Sequence, residues 1–63
     1  MNWVQYEVWA EDDHGHQELI QTTASRKEAL ALGKKTFNDG ATVVTVYEET
    51  ADGDYEQIEQ LSR

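Results

Sequence analysis

Residues 3 to 10, Trp-Val-Gln-Tyr-Glu-Val-Trp-Ala, alternate in character. Val4, Tyr6, Val8 and Ala10 fall on one side, and Trp3, Gln5, Glu7 and Trp9 on the other. This period of two, in aromatic and β-branched types, predicts a strand. Glu11 to Gln17 is polar and contains Gly15, and strand-forming types return from Glu18 to Thr23 around Leu19 and Ile20. The two segments predict a first hairpin with a loose acidic tip.

The period then changes. Ser25-Arg-Lys-Glu28 has the capping-box form, in which the serine hydroxyl takes the Glu28 amide and the Glu28 carboxylate reaches back to the N-cap amide. A helix is expected from Arg26. At 100° per residue Ala29, Leu30, Gly33, Thr36 and Phe37 share one side, Lys27, Ala31, Lys34 and Lys35 point away, and Leu32 lies at the margin. Gly33 on the apolar side costs about 1 kcal/mol of helix propensity against alanine, an expense that makes sense where a helix backbone lies close over a sheet. Asn38-Asp39-Gly40 is the expected stop, with Gly40 supplying a left-handed residue.

Ala41 to Glu49 is the clearest strand pattern, and Asp52-Gly53 is a hairpin-turn dipeptide leading into Tyr55 to Leu61. The last segment alternates weakly, with Ile58 among Glu56 and Gln60 on one side and Tyr55, Gln57, Glu59 and Leu61 on the other. Weak alternation with many charges is the mark of an edge strand. The order is β-β-α-β-β, an α+β fold in which a four-stranded, antiparallel-rich sheet of two hairpins carries one helix on one face. It forms one domain over residues 1–63, with no repeat, linker or low-complexity segment. Met1 and the two complete hairpins are those expected of an independent gene product.

One helix covers one face of such a sheet. If Val4, Tyr6, Val8, Ile20, Val44, Val46 and Ile58 face the helix, the opposite face carries Trp3, Trp9, Val43, Thr45, Tyr47, Tyr55 and Leu61 among Gln5, Glu7, Glu49 and Gln57. An apolar patch with a polar rim marks an interface, and Trp and Tyr are favoured anchors there. Trp3, Trp9, Tyr47 and Tyr55 are therefore the candidate binding residues. The occupant is a second copy, giving a homodimer that doubles a thin core, or another protein; a small-molecule ligand is not expected. The competing account of the same rings is cross-strand packing that stiffens a small sheet.

Charge sharpens this picture. Thirteen Asp and Glu oppose five Lys and Arg, a net charge of −8. Between Ser25 and Asn38 four cations stand against Glu28 alone, a local +3, and the other twelve acids face only Arg63, a local −11. Such a balance disfavours direct contact with nucleic acid or an anionic membrane, both of which need clustered Lys and Arg. Exposed aromatic sheets that stack bases sit in basic grooves, so the second functional reading is the reverse one: an acidic mimic of nucleic acid that blocks a basic site on a nucleic-acid-binding protein. The basic helix stripe of Lys27, Lys34 and Lys35 is a solvated face or a contact for an acidic surface.

Composition removes further classes. Without cysteine the chain has no disulfide framework, thiolate metal site or cysteine nucleophile. Its longest apolar runs are of three or four residues, such as Ala29 to Leu32, too short for a signal-peptide core or a membrane span, and the expected compartment is the cytoplasm. His14 and His16, among Glu11, Asp12 and Asp13, form a weak metal-loop pattern in which no third ligand is fixed by spacing. Solvated histidines on a polar loop are the better account, and Asp52-Gly53-Asp54 lacks the bidentate-Glu spacing of a calcium loop. No metal or cofactor is assigned. Ser25 is occupied as a helix cap, Ser62 stands at a terminus expected to fray, and no Gly-rich phosphate loop follows a strand, so no enzyme activity is expected. The capped helix, its glycine stop and the Asp-Gly turn are generic features that carry no function with them.

Overall fold

The computed structural model describes residues 2–63; Met1, and with it the expected chain start, lies outside them. The elements run β1 (Val4–Glu11), β2 (Gln17–Thr23), α1 (Arg26–Asn38), β3 (Val43–Thr50) and β4 (Tyr55–Ser62). All strand pairs are antiparallel, and the sheet order is β2-β1-β3-β4. The two hairpins are thus joined through their first strands, with β2 and β4 at the edges.

The helix packs chiefly on the central strands β1 and β3. Its serine cap forms as expected, the Glu28 amide donating to Ser25 Oγ at 3.2 Å, but the box does not close. Thr23 intervenes: its hydroxyl donates to Glu28 Oε2 at 3.0 Å and accepts from the Ser25 amide at 3.2 Å. One threonine side chain thereby links the end of β2 to the first turn of α1. At the other end the Asp39 amide donates to Lys35 O and the Gly40 amide to Phe37 O, and Gly40 turns the chain at φ +121°.

Tyr6, Val8, Val44 and Val46 meet Ala29 in the core, and Leu30, Leu32, Phe37, Ile58 and Leu61 pack around them. Gly33 is the point of closest approach. A Cβ there would stand 3.1 Å from Val46 Cγ2 and 3.5 Å from Val44 Cγ1, inside the normal 3.5–4.0 Å separation of carbon atoms in the first case. The missing side chain is what lets the helix backbone lie against the two valines.

Two bulges reset the faces expected from strict alternation. In the β1–β2 pair Val8 opposes Gln21 and Trp9 opposes Leu19, leaving Ile20 extra; in the β3–β4 pair Val46 opposes Glu59 and Tyr47 opposes Gln57, leaving Ile58 extra. Because side chains alternate with a period of two, one extra residue exchanges the faces of everything beyond it. Leu61, expected on the outer face, instead stands opposite Val44 and packs on the core. Ile20, expected in the core, is 38% exposed on the edge strand, and Val4 is 43% exposed because β2 ends opposite Tyr6 and gives it no neighbour.

The C-terminus is anchored, where fraying was expected at Ser62. Arg63 Nε donates to Ala41 O at 3.1 Å, Nη2 donates to Phe37 O, and the guanidinium lies 4.3 Å over the Phe37 ring. A cation on the last carbonyls of a helix is favourably placed against its dipole. Among the described residues no helix is long and apolar enough to cross a membrane.

Candidate functional site on the outer sheet face

The register assembles the face that the helix leaves uncovered. In successive rows across the sheet, Leu19, Trp9, Thr45 and Gln60 stand side by side, then Thr22, Glu7, Tyr47 and Gln57, then Gln5, Glu49 and Tyr55. An open trough of about 560 Å³ runs over this face, with Glu7, Trp9, Thr45, Tyr47, Tyr55 and Gln60 in its lining. Both bulges fall at the level of the Val8–Val46 pair, where the trough lies. A bulge bends its strand and increases the local twist, so the two edges are re-aimed at the same level on either side of a regular central pair.

Of the expected contact residues, Trp9, Tyr47 and Tyr55 come together here. Trp3 does not line the trough; it precedes β1, is 44% exposed, and its carbonyl accepts from the Ala51 amide beside the β3–β4 turn. The Tyr47 and Tyr55 rings meet edge to face, with centroids 6.3 Å apart and an interplanar angle of 85°, the arrangement favoured by the ring quadrupole.

Glu7 ties the rings together, and its position in the pattern, an acid between outward Gln5 and Trp9, carries no signal of that role. Trp9 Nε1 donates to Glu7 Oε1 at 2.9 Å, and the Tyr55 hydroxyl crosses over β3 to donate to Glu7 Oε2 at 3.2 Å. Gln5 Nε2 donates to Glu49 Oε2 at 2.9 Å, and Gln60 Nε2 to Thr45 Oγ1 at 3.4 Å. All of these donors are neutral. The Gln5 amide and then the Tyr55 hydroxyl hold the Glu49 carboxyl below its usual range.

Tyr55 stands between two carboxylates. The Glu49 carboxylate as a second acceptor for its proton, followed by desolvation, the charge of Glu49 and then Glu7, pushes its hydroxyl up to about 12; the single phenolic proton serves one carboxylate at a time, and it lies on Glu7 in the structure. The raised value fixes the sign of a pH effect. In the unfolded chain the phenol ionises near its ordinary 10.0, while the folded chain keeps the proton to about 12. The stabilisation is therefore complete below pH 10 and is lost as the pH rises from there through 12. Phenolate absorbance is expected to show Tyr55 ionising near 12, and Glu49→Gln is expected to bring it down toward 10.

The β1–β2 loop is organised by Asp12. Asp12 Oδ1 accepts the His14 and His16 amides, both at 2.9 Å, and the Gly15 amide donates to Asp12 O. The His16 amide leads in holding the Asp12 carboxyl below its ordinary range, against a smaller effect of desolvation. Both histidine side chains are largely exposed, with rings 6.4 Å apart. Among the described residues no group of three His, Cys, Asp or Glu is arranged to hold a metal ion. No family model, curated protein or solved structure matches the chain.

Proposed function

We propose that the protein acts in the cytoplasm by binding another protein surface, without catalysis, and that the outer sheet face is its contact. The observation that carries this reading is the convergence of Trp9, Tyr47 and Tyr55 around Glu7 in an open trough on the sheet face free of the helix. Trp9 and Tyr55 are held by hydrogen bonds to Glu7 and Tyr47 by its edge-to-face contact with Tyr55, and rings pre-organised in this way lose less entropy on contact. The occupant is a second copy, giving a homodimer, or a different chain.

Sedimentation equilibrium of the wild type and of a Trp9→Ser/Tyr55→Ser variant, at low and high salt, tests the first possibility. Self-association that vanishes in the variant while its fold persists supports a dimer through this face. Self-association that survives both substitutions overturns the assignment of the face. A monomer at every concentration removes the second copy and leaves the face to a different chain.

The acidic-mimic reading is favoured by one specific observation, the segregation of charge. Arg26, Lys27, Lys34 and Lys35 lie on α1 and Arg63 is folded against its C-terminus, leaving the outer face without a Lys or Arg. That reading predicts partner affinity that falls steeply with salt, and salt-independent binding would sink it.

A further inference from the structure

We propose that the trough receives an arginine side chain from a basic segment of a partner protein, the guanidinium resting against the aromatic rings and bonding to Glu7. The inference rests on the binding role of the outer face and names the chemistry of what it binds. Three observations lead to it. Each oxygen of Glu7 accepts one neutral donor, Trp9 Nε1 and the Tyr55 hydroxyl; a carboxylate has about four acceptor positions, so capacity is left on both oxygens, and every Lys and Arg side chain lies on or against the helix, away from them. Aromatic rings flank that carboxylate, and their negative faces attract a cation within about 6 Å of the centroid. Finally, Glu11 joins Glu7 in the trough lining and Glu49 stands beside Glu7 in the next row, and every Lys and Arg is on or against the helix on the other side of the sheet.

Charge complementarity selects among the occupants. Two copies meeting face to face would bring Glu7, Glu11 and Glu49 of both into one contact with no countercharge, and like charges across an interface oppose association. A copy offering its basic helix would make a head-to-tail contact, which propagates unless it closes into a ring. A basic segment of a different chain meets neither obstacle. Guanidinium is preferred over ammonium because it is planar, weakly hydrated, stacks on rings and offers a fork of donors to a carboxylate. An ammonium would have to give up a tighter hydration shell for the same contact.

The test is an NMR titration of the labelled protein with a blocked Gly-Arg-Gly-Arg-Gly peptide, its lysine twin serving as the matched-charge comparison. The proposal expects saturable shifts of the Trp9 indole N–H and the Glu7 amide, an unmoved Trp3 indole, binding at least tenfold weaker in Glu7→Gln, and weaker binding of the lysine peptide. Amide shifts at Val8 and Val46 report whether Glu7→Gln keeps the fold, and Lys34→Gln, exposed on the helix at the other side of the sheet, provides a second variant in which binding should persist. No response at Trp9, shifts spread equally over the acidic loops at Asp12 and Asp52, unchanged affinity in Glu7→Gln, or equal affinity for the lysine peptide would each overturn it. If the peptide fails and the wild type self-associates through Trp9 and Tyr55, the arginine assignment falls and the binding role of the face stands; if neither experiment engages the face, both fall.

Discussion

Gly33→Leu is expected to remove a large part of the stability, lowering the urea midpoint more than any surface substitution. The first added carbon already meets Val46 Cγ2 at 3.1 Å and Val44 Cγ1 at 3.5 Å. Both valines are essentially inaccessible and sit on a central strand paired on both sides, so neither can retreat. The three further carbons of leucine then have to lift the helix from the sheet. Overpacking of this kind costs about 1–3 kcal/mol or more, against a total stability of about 3–9 kcal/mol for a chain of this length at 0.05–0.15 kcal/mol per residue.

The alanine variant separates the two contributions in that result. Gly33→Ala gains about 1 kcal/mol of helix propensity and loses part or all of it to the contact with Val46. In a Val46→Ala background, which removes the offending methyl group, the gain should appear in full. The double-mutant cycle is therefore expected to show favourable coupling, as contacting residues do. Additive behaviour, or a Gly33→Leu chain as stable as wild type, would mean that the helix does not approach the sheet at this residue.

That close approach is legible in the sequence, because a glycine on the apolar side of a helix pattern weakens the helix and is repaid only where another backbone or side chain comes near. So are the helix bounds, since Ser25 and Gly40 are local signals acting on their own neighbourhood. The strand order is not legible: the pairing of β1 with β3 joins residues more than thirty positions apart, and nothing local encodes it. The errors at Ile20 and Leu61 share one cause. Counting by twos assumes an unbroken pleat, and a bulge exchanges faces at a single residue. Ile58 and Leu61, two apolar residues of opposite parity in an otherwise polar edge segment, are the available sign, because both can meet one core only if an extra residue lies between them. The rings of Trp9, Tyr47 and Tyr55 are placed on one face by parity alone. The role of Glu7 is hidden, since it depends on a tyrosine hydroxyl arriving from β4, 48 positions along the chain.

Deleting Glu59 is expected to stabilise the fold and to damage the trough. In the native chain Ile58 is extra and Glu59, a half-buried acid, stands opposite Val46 on the helix side. Removing Glu59 leaves Gln57 opposite Tyr47, places Ile58 opposite Val46, and keeps Gln60 with Thr45 and Leu61 with Val44. The alternation becomes regular, with an aliphatic side chain where a carboxylate was. A Val–Ile cross-strand pair in place of Val–Glu, with deeper burial of Ile58, should add about 1 kcal/mol, read as a higher urea midpoint. The bend at the β4 edge is lost along with the bulge, and Tyr55 no longer reaches Glu7 from the same angle. The Trp9 response to the arginine peptide should then fall at least tenfold. A more stable chain that binds less well would identify the bulge as a feature kept for the shape of the outer face at a cost in stability, the usual trade at functional sites. A deletion that unfolds the protein would mean instead that the bulge is needed for β4 to pair at all, and a deletion that leaves the Trp9 response intact would detach the trough from the bend beside it.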